Sequence, residues 1–153
     1  MSATRLDEGV KHLLNALDGS GSDAEWRAIE QLRSVVGDAL PALLLCRYRV
    51  SKRWQVRTSL VYNAIRYARK SPGAVALGVL AITDKSQAVR YRACMLLAYS
   101  LELGALPALR AAITSTPESS REDIAAAIHA IETRNEHHFV DRKHTGRMTL
   151  TVR

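Results

Sequence analysis

The chain has 153 residues, 47% hydrophobic but only 5% aromatic, with eight glycines, four prolines and two cysteines. One domain of this size, with a core of Ala, Leu, Val and Ile and so few helix breakers, reads as all-α. No run approaches 18 apolar residues, no signal-type apolar stretch opens the chain, and Cys46 and Cys94 have no close-spaced partner. The expectation is therefore a cytoplasmic protein with no membrane span, secretory leader or disulfide framework.

The net charge of +7 is concentrated in one block. Residues 46–98 hold 11 basic residues and a single acid, Asp84. Residues 1–45 hold 4 basic against 7 acidic, and residues 99–136 hold 3 against 6. Such a block attracts acidic partners through its field alone, whether nucleic acid or an acidic protein face.

In chain order, short apolar segments alternate with longer amphipathic ones. The short segments begin at Val10, Ala39, Ala74 and Ala105. The longer ones run over 23–37, 52–68, 85–101 and 119–135. Aligned with one another, the longer segments place Arg27, Arg57 and Arg90 in register, 30 and 33 residues apart; the fourth copy has Asp123 or Ile124 near that place. Two helices per unit and a period in the low thirties are the signature of a helical solenoid, whose units bury their apolar sides only by stacking. Local punctuation agrees. Asp23 is placed to cap the first long helix, Gly37-Asp38 to end it, Ser71-Pro72-Gly73 to start the third short helix, and Gly104 and Pro117 to bound the last one.

Val89-Arg90-Tyr91-Arg92-Ala93 and Val56-Arg57-Thr58-Ser59-Leu60 resemble the second-helix pattern of HEAT repeats of the PBS-lyase type. The resemblance covers about residues 7–134. It implies a right-handed α-solenoid of about four helix pairs over residues 1–135, with the second helix of each pair lining the inner face. It also implies that Arg57 and Arg90 brace neighbouring repeats through an acid. Asp84 stands where such an acid can lie for Arg90, whereas Ser51-Lys52 replaces it for Arg57 and leaves that pairing open.

Helical spacing puts Gln55, Ser59, Tyr62, Arg66 and Arg69 on one face of the second long helix, and Ala88, Arg92, Met95, Tyr99 and Glu102 on the third. Arginine offers planar contact to carboxylate or phosphate, and tyrosine offers broad contact area at low entropic cost. The expected partner-binding residues are accordingly Arg53, Tyr62, Arg66, Arg69, Arg92, Met95 and Tyr99. Arg53 joins Arg47, Arg49 and Lys52 in a basic cluster ahead of the second long helix.

The remaining residues, 136–153, change pattern. Met148, Leu150 and Val152 alternate with Thr149, Thr151 and Arg153, which predicts a C-terminal β-hairpin turning near Gly146. The hairpin either caps the open end of the stack or offers an edge strand to a partner. Phe139-Val-Asp-Arg followed by His144-Thr-Gly resembles the ending of small bacterial HEAT-repeat proteins of the immunity or antitoxin type, which implies occlusion of a toxin domain.

No nucleotide-binding, hydrolase or HExxH motif occurs. His137, His138 and His144 do not make a metal site on a strand, because adjacent residues there face opposite sides; His12 and His129 stand alone on helices. The sequence thus predicts a protein without catalysis, cofactor, metal or small-molecule substrate. It binds an acidic protein partner through a basic inner face or, on the alternative reading, phosphates of nucleic acid through the same arginines.

Overall fold

Residues of good helix propensity with recurrent apolar spacing coil this chain into helices, and the computed structural model describes residues 3–152 of it. Eight α-helices follow one another among the described residues: α1 (Ala3–Asn15), α2 (Asp23–Val36), α3 (Leu40–Val50), α4 (Trp54–Ala64), α5 (Pro72–Ala81), α6 (Gln87–Ser100), α7 (Leu106–Ser115) and α8 (Arg121–Glu132). Short 3-10 turns at Gly37–Ala39, Ile65–Tyr67, Leu103–Ala105 and Glu118–Ser120 fill most of the connections. None of the helices is long and apolar enough to cross a membrane.

The helices pack in consecutive pairs: α1 with α2, α3 with α4, α5 with α6, and α7 with α8. Between pairs, α3 lies on α5, α4 on α6, and α6 on α8. One continuous core results, from Leu14 and Leu17 through Leu44, Leu60, Leu77 and Leu97 to Ile124 and Ile131. α6 sits at its centre, with Val89, Ala93, Cys94, Leu96, Leu97 and Ala98 all buried. Gly78 lets α5 come close, since a methyl group there would overlap the side chains of Leu96 and Leu97.

Helix boundaries follow the sequence signals with one exception. Ser71 accepts the amide of Ala74 with Pro72 at the first helical position, as expected. The cap of α2, however, is Ser22, whose hydroxyl accepts the Glu25 amide at 3.2 Å; Asp23 lies in the first turn, beside the positive end of the helix dipole. Gly104 separates α6 from α7 as expected, within the Leu103–Ala105 turn, while α6 itself ends on Leu101 in the left-handed conformation.

The expected C-terminal β-hairpin does not form. Among the described residues there is no strand; Arg153, the last of the alternating run, lies outside them. Glu136–Phe139 is a 3-10 turn, initiated by Asn135, whose side-chain oxygen accepts the His137 amide. Phe139, the one phenylalanine, is wholly buried there and packs on the Tyr91 ring at 5.6 Å. Residues 141–146 form a loop around the buried Asp141 carboxylate, which accepts the amides of Thr145 (2.9 Å) and Gly146 (2.7 Å). Local side-chain hydrogen bonds thus outcompeted strand pairing. The chain then runs extended, buries Leu150 and ties its amide to His137 Nδ1 at 2.9 Å.

Candidate interaction groove

Arg57 and Arg90, which the repeat pattern singles out, occupy equivalent places. Each sits in the first turn of its helix and donates Nη1 back to the carbonyls of the turn before: Arg57 to Lys52 (2.7 Å) and Arg90 to Asp84 (2.8 Å) and Lys85 (3.0 Å). Each also reaches forward into the next unit. Arg57 grips Asp84 with two parallel hydrogen bonds, Nε–Oδ2 2.8 Å and Nη2–Oδ1 2.9 Å, while Arg90 Nε donates to Ser120 Oγ at 2.6 Å. The open pairing of Arg57 is thereby resolved: its acid comes from the following repeat. Tyr48 also donates its hydroxyl to Asp84, and the Ser86 amide bonds Oδ1. Burial pushes the Asp84 carboxyl upward, but the donors Arg57, Tyr48 and Ser86 outweigh it and hold the acid below its usual range.

The faces of α2, α4 and α6 enclose a groove of about 490 Å³, lined among others by Trp26, Ile29, Trp54, Thr58, Tyr62, Arg92 and Met95, and reached from the tail by Thr151. Trp26 and Trp54, the only tryptophans, are 63% and 48% exposed, and Tyr62 is 37% exposed. Arg92 lies across the Tyr62 ring, 4.8 Å from its centroid, with Met95 beside it.

The floor is held by Glu25. Its carboxylate accepts the amides of Gly19 (2.6 Å) and Gly21 (3.0 Å) and the hydroxyl of Ser59 (2.9 Å), joining the α1–α2 loop to α4. Asn63 donates to the Ser59 carbonyl at 2.9 Å. Gly19 has φ +78°, and a methyl group there would collide with the Gln55 carbonyl, so the loop closes against α4 only with glycine at this point.

Three of the seven expected partner-binding residues, Tyr62, Arg92 and Met95, meet in this groove. Arg69 and Tyr99 form a second cluster: Arg69 stacks on the Tyr99 ring at 5.1 Å, donates to the Tyr99 carbonyl at 3.0 Å and pairs with Glu136 at 2.8 Å. That cluster ties α6 to the Glu136–Phe139 turn. Arg66 is exposed beyond α4, and Arg53 is exposed at its start, outside the groove. The basic block is thus dispersed. Arg57 and Arg90 brace repeats, Arg69 holds the tail, and Arg49, Lys52 and Lys85 line the edge around Asp84. Sequence reasoning missed the tryptophans, which lie at helix starts and belong to no periodic apolar stripe.

Cys94 lacks the setting of a nucleophile. It is buried among apolar groups, and that burial pushes its thiol up to about 12. No family model matches the chain, and no curated protein or solved structure matches it either.

Proposed function

We propose that this protein is a non-catalytic interaction module, a short right-handed α-solenoid of HEAT-like repeats acting in the cytoplasm. Its groove on α2, α4 and α6 takes an acidic segment of a protein partner. The observation that carries this reading is the grouping of Trp26, Trp54 and Tyr62, all exposed, around one side of Arg92. Exposed tryptophans cost solubility unless something covers them, and Trp, Tyr and Arg are the side chains that dominate binding energy at protein interfaces. A carboxylate on the partner pairs with Arg92 while an apolar or aromatic neighbour fills the space between the tryptophans. The repeat braces at Arg57 and Arg90 support the solenoid assignment. An immunity-type role, in which the module occludes a toxin domain, is the most specific form of the proposal.

A second reading has its own support. Tryptophans beside an arginine also stack bases of single-stranded nucleic acid, and residues 46–98 carry the charge for phosphate contacts.

Affinity capture from native extract, with and without nuclease, separates the two when wild type is compared with Trp54→Ala, Arg92→Glu and Arg66→Glu. The proposal expects one protein retained after nuclease treatment, lost with Trp54→Ala and Arg92→Glu and kept with Arg66→Glu. Because both tryptophans line the groove, the purified partner should also shift intrinsic fluorescence on titration. Capture that vanishes with nuclease and falls steeply with salt moves nucleic acid to first place. Capture untouched by Trp54→Ala overturns the groove.

A further inference from the structure

We infer that His129, His138 and His144 form a binding site for Zn²⁺ or a similar imidazole-preferring divalent ion. The site shares no residue with the groove and stands independently of its function.

The three imidazoles come from three separate pieces of chain: the last turn of α8, the Glu136–Phe139 turn, and the loop after it. Their nitrogen donors all lie within 4.8 Å of one another. His129 Nε2 and His144 Nε2 are 3.0 Å apart. Zinc–nitrogen bonds of about 2.0–2.1 Å in a tetrahedron set nitrogens roughly 3.3 Å apart, so that pair is near the required spacing, and the nearly parallel rings must turn about their side-chain bonds for all three lone pairs to meet one ion.

The hydrogen bonding around His138 fixes which nitrogen carries the proton. The Thr133 hydroxyl has one proton, and the carbonyl of His129 receives it at 2.8 Å. Toward His138 Nδ1, also at 2.8 Å, Thr133 Oγ1 must therefore accept, so Nδ1 carries the proton. At the other nitrogen, Asn135 presents its amide NH₂ to Nε2 at 3.3 Å, an orientation set by its oxygen accepting the His137 amide. Both neighbours demand the same tautomer, with the lone pair on Nε2, where an ion would take the place of the Asn135 hydrogen bond. An outer-shell partner on the far nitrogen is the usual arrangement for a ligating histidine.

His144 is held by its loop. Its backbone is left-handed, φ 55°, and its amide donates to the Asp141 carbonyl at 3.2 Å. The buried Asp141 carboxylate gathers the next two residues, which leaves the ring directed at His129. As a bare cluster, three near-parallel rings with centroids 4.2–5.3 Å apart gain little. Three protein ligands leave a fourth position open beside Glu122 and Arg142, to be filled by water or by a ligand from outside.

The test uses untagged full-length protein and Zn²⁺ competed against a chromophoric chelator, with Co²⁺ as spectroscopic probe. One ion per chain is expected, with visible Co²⁺ bands of a four-coordinate nitrogen site. Thr133→Val should weaken binding by roughly 10–100-fold, the effect of losing an outer-shell partner, and His138→Ala or His144→Ala by more. His12→Ala, on exposed α1 surface, should leave it unchanged. Circular dichroism checks that each variant keeps its helices. No ion retained against the chelator, or affinity that survives the His138→Ala/His144→Ala double variant, overturns the site.

Discussion

At the residue scale the most consequential group is Asp84, the one acid of the basic block. Its side chain is 4% exposed and its two oxygens answer Arg57, Tyr48 and the Ser86 amide. Asp84→Asn keeps the shape but leaves the Arg57 guanidinium without its counter-charge. Removing one partner of a buried pair costs about 3 kcal/mol, which urea unfolding should register as a lower midpoint at unchanged slope. The sign of the pH effect follows from the lowered pKa. The folded protein holds Asp84 ionised more firmly than the unfolded chain does, so the contribution is whole above the unfolded value of about 4 and drains away as pH falls through the lower folded one. The same titration on Asp84→Asn should show a flatter loss of stability in acid. Sequence reasoning located both Arg57 and Asp84 but could not join them: a 27-residue separation shows which residues recur, not which unit supplies the acceptor.

At the scale of elements, the α1–α2 loop and the Glu136–Phe139 turn are where prediction and structure part. Gly19→Ala must leave a left-handed backbone and clear the Gln55 carbonyl at once. A loss of about 2–4 kcal/mol is expected, together with a change in Trp54 emission as the loop lifts from α4. Phe139→Ala empties a fully enclosed aromatic site between α6 and α8 and should cost about 3–5 kcal/mol by thermal or denaturant unfolding. The helices were legible because their apolar spacing survives in any context. The tail was not, since its alternation of apolar residues and threonines is a strand's signature only where a partner strand exists. Here His137, Asp141 and Asn135 satisfy the backbone first.

For the whole molecule, charge pattern and surface chemistry must be considered apart. The density of cations over residues 46–98 pointed to one basic face, yet the helix pairs send these residues to different places. Some brace repeats, one fastens the tail, and only Arg92 enters the groove. Net charge along a sequence constrains the field around a stack of helices but not which side of it emerges, because each helix rotates its residues through every direction within two turns. The tryptophans carried the better signal. In a chain so poor in aromatics, two that fall outside the apolar stripes are candidates for the surface.

The forward-reaching braces have a consequence at the far end of the helix stack. Arg57 and Arg90 are 33 residues apart and each is the fourth residue of its helix; in α8 that place falls to Ile124, and 33 residues beyond Arg90, next to it, stands Asp123. It cannot donate to a turn's carbonyls as the arginines do, and it instead receives Arg142 of the tail at 2.8 Å. A head-to-tail surface repeated in every copy of a protein is the recipe for a filament, since nothing in the geometry closes the series. With Asp123 there, bonded to Arg142 of the tail, the fourth pair presents no forward-reaching donor of the kind that links the earlier pairs. At that place the chain carries no arginine to extend the same clasp to a second copy.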